Sequence, residues 1–228
     1  MILNGHGMCS AGNSLDSIFQ WFYRTATDEN MKSCARSLVF HTWTFDDALI
    51  DQFRIYLEHF ANQKKIFHLF VCPKLIDEWE LGNINYVRGQ LRNSQAELMG
   101  WDAICKLAEY GVILGSHGID HSSFSTMSVE QCYQQYEHSK NMISARTGRK
   151  VDTFAFPFGR VAPSSITAAL DARKFYTEVY LSDNSLAIGE LADGVFNRRH
   201  AEYGICAGRG ILIGALDILF GSRRWRSS

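Results

Sequence analysis

The sequence lacks several features that would place it in a special class of protein. No apolar run reaches the roughly 18 residues of a membrane-spanning helix, and the first residues lack the basic segment and apolar stretch of a secretory signal. The formal net charge is only −1, and basic residues cluster only in the tail GSRRWRSS. We therefore expect a cytoplasmic globular protein that does not bind nucleic acid.

The sequence also lacks cysteine pairs and has little proline. Its 6 cysteines are dispersed without a CxxC pair, which predicts reduced thiols at apolar positions rather than disulfides or a thiolate metal site. With 3 prolines and 46% apolar residues, a chain of 228 residues can bury a sizeable core. A single domain over residues 1–228 is the simplest organisation.

Strand-like and helix-like segments alternate along the chain. The segment SLVFHTWTF is typical of a buried strand. The segment that follows, ALIDQFRIYLEHFANQ, has the apolar period of a helix. Repetition of this pattern predicts an α/β fold of about seven parallel strands, either a barrel or a doubly wound sheet. Two segments stand apart. The polar stretch 73–94 is predicted to be a lid or binding loop, and residues 210–228 a C-terminal helix and tail that packs on the domain or lies peripherally on an anionic membrane.

Polar side chains follow two of the predicted strands. Asp46 and Asp47 end one strand, where they either begin the next helix or serve a functional site. His117 and His121 follow another strand, four residues apart, a spacing that brings both imidazoles to one side of a helical turn. Two histidines and one carboxylate form an open zinc site, and a second carboxylate can accept a proton from bound water. The sequence thus predicts a metal site at the strand ends.

The order of these motifs resembles that of the polysaccharide deacetylases, carbohydrate esterase family 4. TFDDA is similar to the family's TFDDG, with Ala48 in place of glycine. GSHGIDHSSFSTMS is similar to GSHTxxHxxLxxLS, and TFAFPFG to the motif that ends in Pro-Tyr-Gly or Pro-Phe-Gly. The resemblance covers about residues 36–182 closely and the two ends loosely.

This resemblance implies a distorted (β/α)7-8 barrel that removes an acetyl group from an N-acetylated amino sugar of a polysaccharide or of its nucleotide- or lipid-linked precursor. It also implies one divalent metal ion, usually zinc. Asp46 becomes the general base, and the backbone N–H of Phe158, after Pro157, stabilises the oxyanion together with the metal. The implied metal ligands are Asp47, His117 and His121.

The sequence departs from the family pattern at two functional positions. Ala155 stands where many members have an arginine that orients the base, and the late Leu-x-x-His motif that supplies the general acid is absent. His200, the only histidine after residue 160, is the candidate acid by elimination. Arg198 or Arg199 is the candidate to pair with Asp46, and we expect Arg199 near the substrate.

Other residues have weaker signals. In the segment 73–94, Trp79 and Tyr86 are candidates to contact a sugar, although a polar loop contains such residues by chance. Arg88 and Arg92 are further candidates there, and His41 and His68 are expected in the core or behind the site. Two other functions stay open: a carbohydrate-binding barrel that has lost turnover, and an amidase or deformylase acting on a non-acetyl sugar amide.

Overall fold

The computed structural model describes residues 2–5, 42–59, 66–159, 165–183 and 189–200, and also the separate positions 61, 161, 185 and 186. At a few positions within helices and strands, including 199 and 200, only the backbone is described. The predicted C-terminal helix and tail at 210–228 and residue His41 lie outside the described residues. Within them, Cys72, Cys105 and Cys132 are free thiols. No helix of the described ranges combines the length and apolarity that a bilayer crossing requires.

The described strands form one 9-stranded sheet in the order β7-β8-β6-β5-β4-β3-β2-β1-β9. All neighbouring strands are parallel except the antiparallel pair β7 and β8. The strands are β1 Ile2–Gly5, β2 Thr42–Asp46, β3 Ile66–Val71, β4 Ile113–Ser116, β5 Thr153–Ala155, β6 Glu178–Leu181, β7 Gly189–Ala192, β8 Val195–Asn197 and β9 Arg199–His200.

The sheet curls into a barrel, as the chain connection between strands near its opposite edges shows. Strand β8 pairs with β6, strand β9 pairs with β1 at the other end of the order, and only Arg198 separates β8 from β9. Strands so distant in the sheet can share one continuous stretch of chain only if the sheet closes on itself. We call this junction at Arg198 the seam. The predicted α/β class and distorted (β/α) barrel are confirmed.

Helices occupy the connections between parallel strands, as the alternating pattern predicts. The longest, α5, begins after the N-cap Ser128, which forms a capping box with Gln131, and ends at Gly148 with φ 64°. The described helices are α1 Ile50–His59, α2 Pro73–Glu80, α3 Ile84–Leu91, α4 Trp101–Glu109, α5 Val129–Thr147 and α6 Ser165–Ala172, with a 3-10 turn at Phe124–Thr126.

The prediction of a loop over 73–94 is wrong. This segment folds as helices α2 and α3, and it buries Leu75 and Ile76 on the first helix and Val87 on the second in the main core. Each helix has only 8 residues and presents few apolar positions, so the polar residues dominate the composition of the segment. Pro73 at the first turn, a favoured helix start, is the local signal for α2.

Candidate active site

Two adjacent carboxylates reach one pocket because the backbone adopts a left-handed conformation directly after strand β2. Asp46 is the last residue of the strand and is only 2% exposed. Asp47 and Ala48 then adopt left-handed conformations, with φ 73° and 56°. Non-glycine residues rarely adopt this conformation, and such residues concentrate at functional sites. Asp46 Oδ2 lies 3.9 Å and Asp47 Oδ1 lies 3.8 Å from the same atom, His117 Nε2.

Two histidines after strand β4 complete the cluster. His117 directly follows the strand, and His121 has a left-handed backbone with φ 60°. His121 Nε2 lies 3.4 Å from Asp47 Oδ1. One ligand atom each from Asp47, His117 and His121 can be chosen so that all lie within 4.8 Å of one another. The structure therefore brings together the three predicted metal ligands.

Backbone carbonyls orient both imidazoles toward Asp47. His117 Nδ1 donates to the Ala155 carbonyl at 2.7 Å, and His121 Nδ1 lies 3.3 Å from the Gln90 carbonyl. These contacts put the Nδ1 hydrogen on the carbonyl side and leave the Nε2 lone pair for a ligand, as in metal-binding histidines generally. The donor set, two imidazole nitrogens and a carboxylate oxygen, fits zinc.

The environment of His117 agrees with a ligand role. Burial lowers its pKa to about 4, against the opposing effect of Asp46 and Asp47, so the ring is neutral near pH 7. Its Nε2 atom is buried and has no hydrogen-bond partner in the described part of the chain. A neutral imidazole with a buried, unengaged nitrogen lone pair is what a metal ion requires.

Arg198, at the seam, holds Asp46 through a two-point ion pair. Its Nη1 donates to Asp46 Oδ1 at 2.8 Å and its Nη2 to Oδ2 at 3.0 Å, while Nη1 also contacts Thr44 Oγ1 at 3.0 Å. The guanidinium lies over the Phe70 ring at 5.3 Å, and Arg198 is 1% exposed. The predicted pairing of Asp46 with Arg198 or Arg199 is confirmed for Arg198. Ala155, in the interior of the barrel, is fully buried.

The cluster opens into a cleft of about 300 Å³. One wall is Phe158, whose ring contacts the His121 ring at 4.6 Å between centroids and lies under the Arg92 guanidinium at 4.8 Å. Phe158 and Arg92 both have left-handed backbones, with φ 63° and 52°. The lining residues are Asp46, Asp47, Leu91, Arg92, His121, Phe158, Gly159 and Ser182.

The other predicted contact residues lie elsewhere. Trp79 packs against the main core from helix α2, and Tyr86 lies beneath the Lys74 ammonium; neither lines the cleft. Arg88 Nε donates to the Ala96 carbonyl at 3.0 Å, which fixes the end of α3. Helix α2, rather than a loop, sets the position of Trp79 against the core.

Three further predicted residues have more limited descriptions. Pro157 is buried next to Phe158. The side chains of Arg199 and His200 lie outside the described residues, and their backbones pair with Leu3 and Asn4 of strand β1.

Sequence reasoning missed two parts of this site. The Gln90 carbonyl contacts His121 from helix α3, and backbone groups leave no trace in a residue pattern. Ser182, directly after strand β6, lines the cleft. Its place at the carboxyl end of a parallel strand is the one signal that could have pointed to it.

The barrel carries two carboxylates and two histidines at its strand ends, three of which could hold a metal ion. A family model described as polysaccharide deacetylase matches residues 40–174, more than half of the chain. The chain belongs to the polysaccharide deacetylase family. Membership of this family supports carbohydrate deacetylation as its general activity. No curated protein sequence matches it.

Solved structures share the fold at low identity. The Streptococcus pyogenes deacetylase PplD in complex with acetate is 15% identical, with a TM-score of 0.60 and coverage of 88% of this chain and 90% of that one. A de-N-acetylase from Aggregatibacter actinomycetemcomitans is 13% identical, with a TM-score of 0.58 and coverage of 87% and 93%. The BpsB deacetylase domain from Bordetella bronchiseptica is 13% identical, with a TM-score of 0.55 and coverage of 87% and 94%.

Proposed function

We propose that this protein is a metal-dependent hydrolase that removes the N-acetyl group from an amino sugar of a polysaccharide or of its nucleotide- or lipid-linked precursor. The observation that carries the proposal is the placement of Asp46 beside the cluster of Asp47, His117 and His121 at the mouth of a cleft. A binding protein needs no buried carboxylate held ready for proton transfer beside such a cluster.

Asp47, His117 and His121 would hold one divalent ion, for which zinc is the best match. When bound, the ion would make water a better nucleophile and polarise the amide carbonyl. The protein contributes the orientation of the ligands, through the carbonyls of Ala155 and Gln90.

Asp46 is the proposed general base. Arg198 donates one hydrogen bond to each carboxylate oxygen and thereby fixes the plane of the carboxylate beside the ligand cluster. Oδ2 is the oxygen 3.9 Å from His117 Nε2, on the side of the ligand cluster. Arg198 keeps the carboxylate charged and in one orientation, and its burial between aromatic rings strengthens this ion pair.

The remaining groups act on the acyl carbon and on the leaving amine. The Phe158 backbone N–H is the proposed donor to the developing oxyanion, since this residue lines the cleft beside His121. His200 remains the proposed acid that gives a proton to the leaving amine, because a histidine pKa near neutrality suits that transfer.

A release assay tests the proposal. The metal-loaded protein is incubated with N-acetylated oligosaccharides, with nucleotide-linked N-acetyl sugars and with their N-formyl counterparts, and acetate and formate are quantified. We expect acetate release from at least one of them, loss of release after chelation, and recovery on addition of zinc. Formate release from an N-formyl sugar without acetate release from its N-acetyl counterpart would replace deacetylation by deformylation. Release that persists after complete metal removal would contradict metal dependence.

A further inference from the structure

Ser182 carries a buried hydroxyl group whose hydrogen bonds the described protein does not supply. The residue follows strand β6, is 8% exposed and lines the cleft with Asp46 and Gly159. Its backbone N–H donates to the Gly159 carbonyl at 2.7 Å. Its Oγ atom, however, has no hydrogen-bond partner within the part of the chain that the structure describes. Buried hydroxyl groups in folded proteins nearly always have a partner, so this one needs an explanation.

Ser165 provides a matched comparison in the same molecule. It is 7% exposed, nearly the same as Ser182, and its Oγ donates to Asp183 Oδ2 at 2.9 Å. The same oxygen contacts the Val161 backbone N–H at 3.2 Å. Of two equally buried serines, the one away from the cleft has its hydroxyl satisfied and the one at the cleft does not.

Packing does not account for the hydroxyl of Ser182. The residue lies against Gly159, where an added Cβ would come within 2.5 Å of Ser182 Cβ. This contact involves the Cβ of Ser182 and its backbone, which alanine would provide equally well. An alanine at position 182 would keep the contact and remove an unsatisfied polar group, which is costly to bury.

We propose that Ser182 is a substrate-binding residue whose hydroxyl group hydrogen-bonds a hydroxyl of the amino-sugar ring. The cleft is lined by charges of both signs, the carboxylates of Asp46 and Asp47 and the guanidinium of Arg92, so its lining does not favour a ligand group of one charge. A sugar hydroxyl is neutral and can both donate to and accept from a serine. Gly159 lies between Ser182 and Phe158, so the ring hydroxyl would be bound beside the proposed oxyanion donor. The inference rests on the proposed function, because it takes the ligand of the cleft to be an amino sugar.

The experiment compares the wild type, Ser182→Ala and Ser165→Ala, all metal-loaded. Melting temperature is measured alone and with N,N′-diacetylchitobiose as the probe, and acetate release is measured with the best substrate of the release assay. For Ser182→Ala we expect an unchanged or higher melting temperature, by up to about 4 °C, and for Ser165→Ala a decrease of about 2–4 °C. We expect the probe to raise the melting temperature of the wild type and of Ser165→Ala. The increase for Ser182→Ala should be smaller. The kcat/KM of Ser182→Ala should fall about tenfold.

The outcomes separate this inference from the proposed function. Acetate release by the wild type with the same kcat/KM in Ser182→Ala overturns the role of Ser182 and leaves the deacetylase proposal intact. A probe-induced shift that Ser182→Ala loses, in a protein that releases neither acetate nor formate, supports the role of Ser182 and overturns the proposed hydrolase activity. A fall in melting temperature in Ser182→Ala equal to that in Ser165→Ala shows that the hydroxyl is already satisfied, and overturns the inference. A wild type that neither shifts nor releases acetate contradicts both proposals.

Discussion

The outer face of the sheet and the inside of the barrel are built from alternate residues of the same strands, yet they differ in chemistry. Facing the helices, Phe45, Leu69 and Phe154 belong to the large apolar core. Inside the barrel, Asp46 contacts Arg198, and the small cluster of Phe70, Ala155 and Tyr180 places the Phe70 and Tyr180 rings beside the guanidinium. Because side chains alternate along a strand, one five-residue strand can serve a core and a site at once.

This difference separates stability from function. The outer face depends on apolar area and shape, so its residues can vary in identity if their volume is kept. The inner face holds charges in a desolvated space, where each charge must have its partner. Substitutions on the outer face should therefore change unfolding free energy alone, while those on the inner face should change stability and turnover together.

The largest combined effect is expected from breaking the ion pair inside the barrel. Arg198→Met removes the guanidinium and leaves the Asp46 carboxylate buried without its cationic partner. Loss of one member of a buried pair typically costs about 3–5 kcal/mol of unfolding free energy. Turnover should fall as well, because the base loses its orientation. Denaturant unfolding and acetate release measure the two effects.

The double variant Asp46→Asn/Arg198→Met is the control for this prediction. Without the carboxylate there is no unpaired charge, so the double variant should be more stable than Arg198→Met alone. If the two substitutions were simply additive in unfolding free energy, Arg198 and Asp46 would not act as a pair.

A similar loss of stability without loss of chemistry is expected on the outer face. Phe154 is fully buried and contacts the rings of Tyr136, Phe156 and Tyr176 at 4.8–5.1 Å between centroids. Phe154→Ala should cost about 3–5 kcal/mol of unfolding free energy. At a temperature where the variant remains folded, its metal content and kcat should match those of the wild type. A drop in kcat of tenfold or more would show that the two faces are not separable.

A smaller, pH-dependent effect is expected from His68, inside the barrel. Burial, with a further contribution from the Arg198 charge, lowers its pKa to about 4, from 6.5. Between these values the unfolded chain binds more protons than the folded one, so the stability falls as pH decreases from about 6.5 to 4. The full effect of this one group is on the order of 3 kcal/mol. His68→Leu should flatten the dependence of unfolding free energy on pH in that window, and an unchanged slope would contradict the assignment.

The sequence was sufficient to predict the parts of the site that lie at strand ends. Asp46, Asp47, His117 and His121 each follow or end an apolar run, and parallel strands necessarily bring those ends to one edge. Motif resemblance then assigned each residue a role. The choice between Arg198 and Arg199 could not be made in this way, because it depends on which of two neighbours continues the inner face of β8 across the seam.

Other features depend on the three-dimensional surroundings. The helices of segment 73–94 are too short for a clear apolar period, so the predicted loop was wrong. The unsatisfied hydroxyl of Ser182 has no sequence signature, because satisfaction is a property of neighbours that are distant in the chain. Likewise, Trp79 packs on the core because of the amphipathic face of α2 rather than its residue type.

The central claim, that neighbouring aspartates divide metal binding and base catalysis between them, is tested most directly by two isosteric variants. Asp46→Asn and Asp47→Asn are analysed for metal content after zinc loading and for acetate release. We predict that Asp46→Asn keeps its zinc and loses roughly two to four orders of magnitude in kcat, the usual contribution of a positioned base. Asp47→Asn should lose the zinc. Zinc retained in Asp47→Asn but lost in Asp46→Asn would contradict the account.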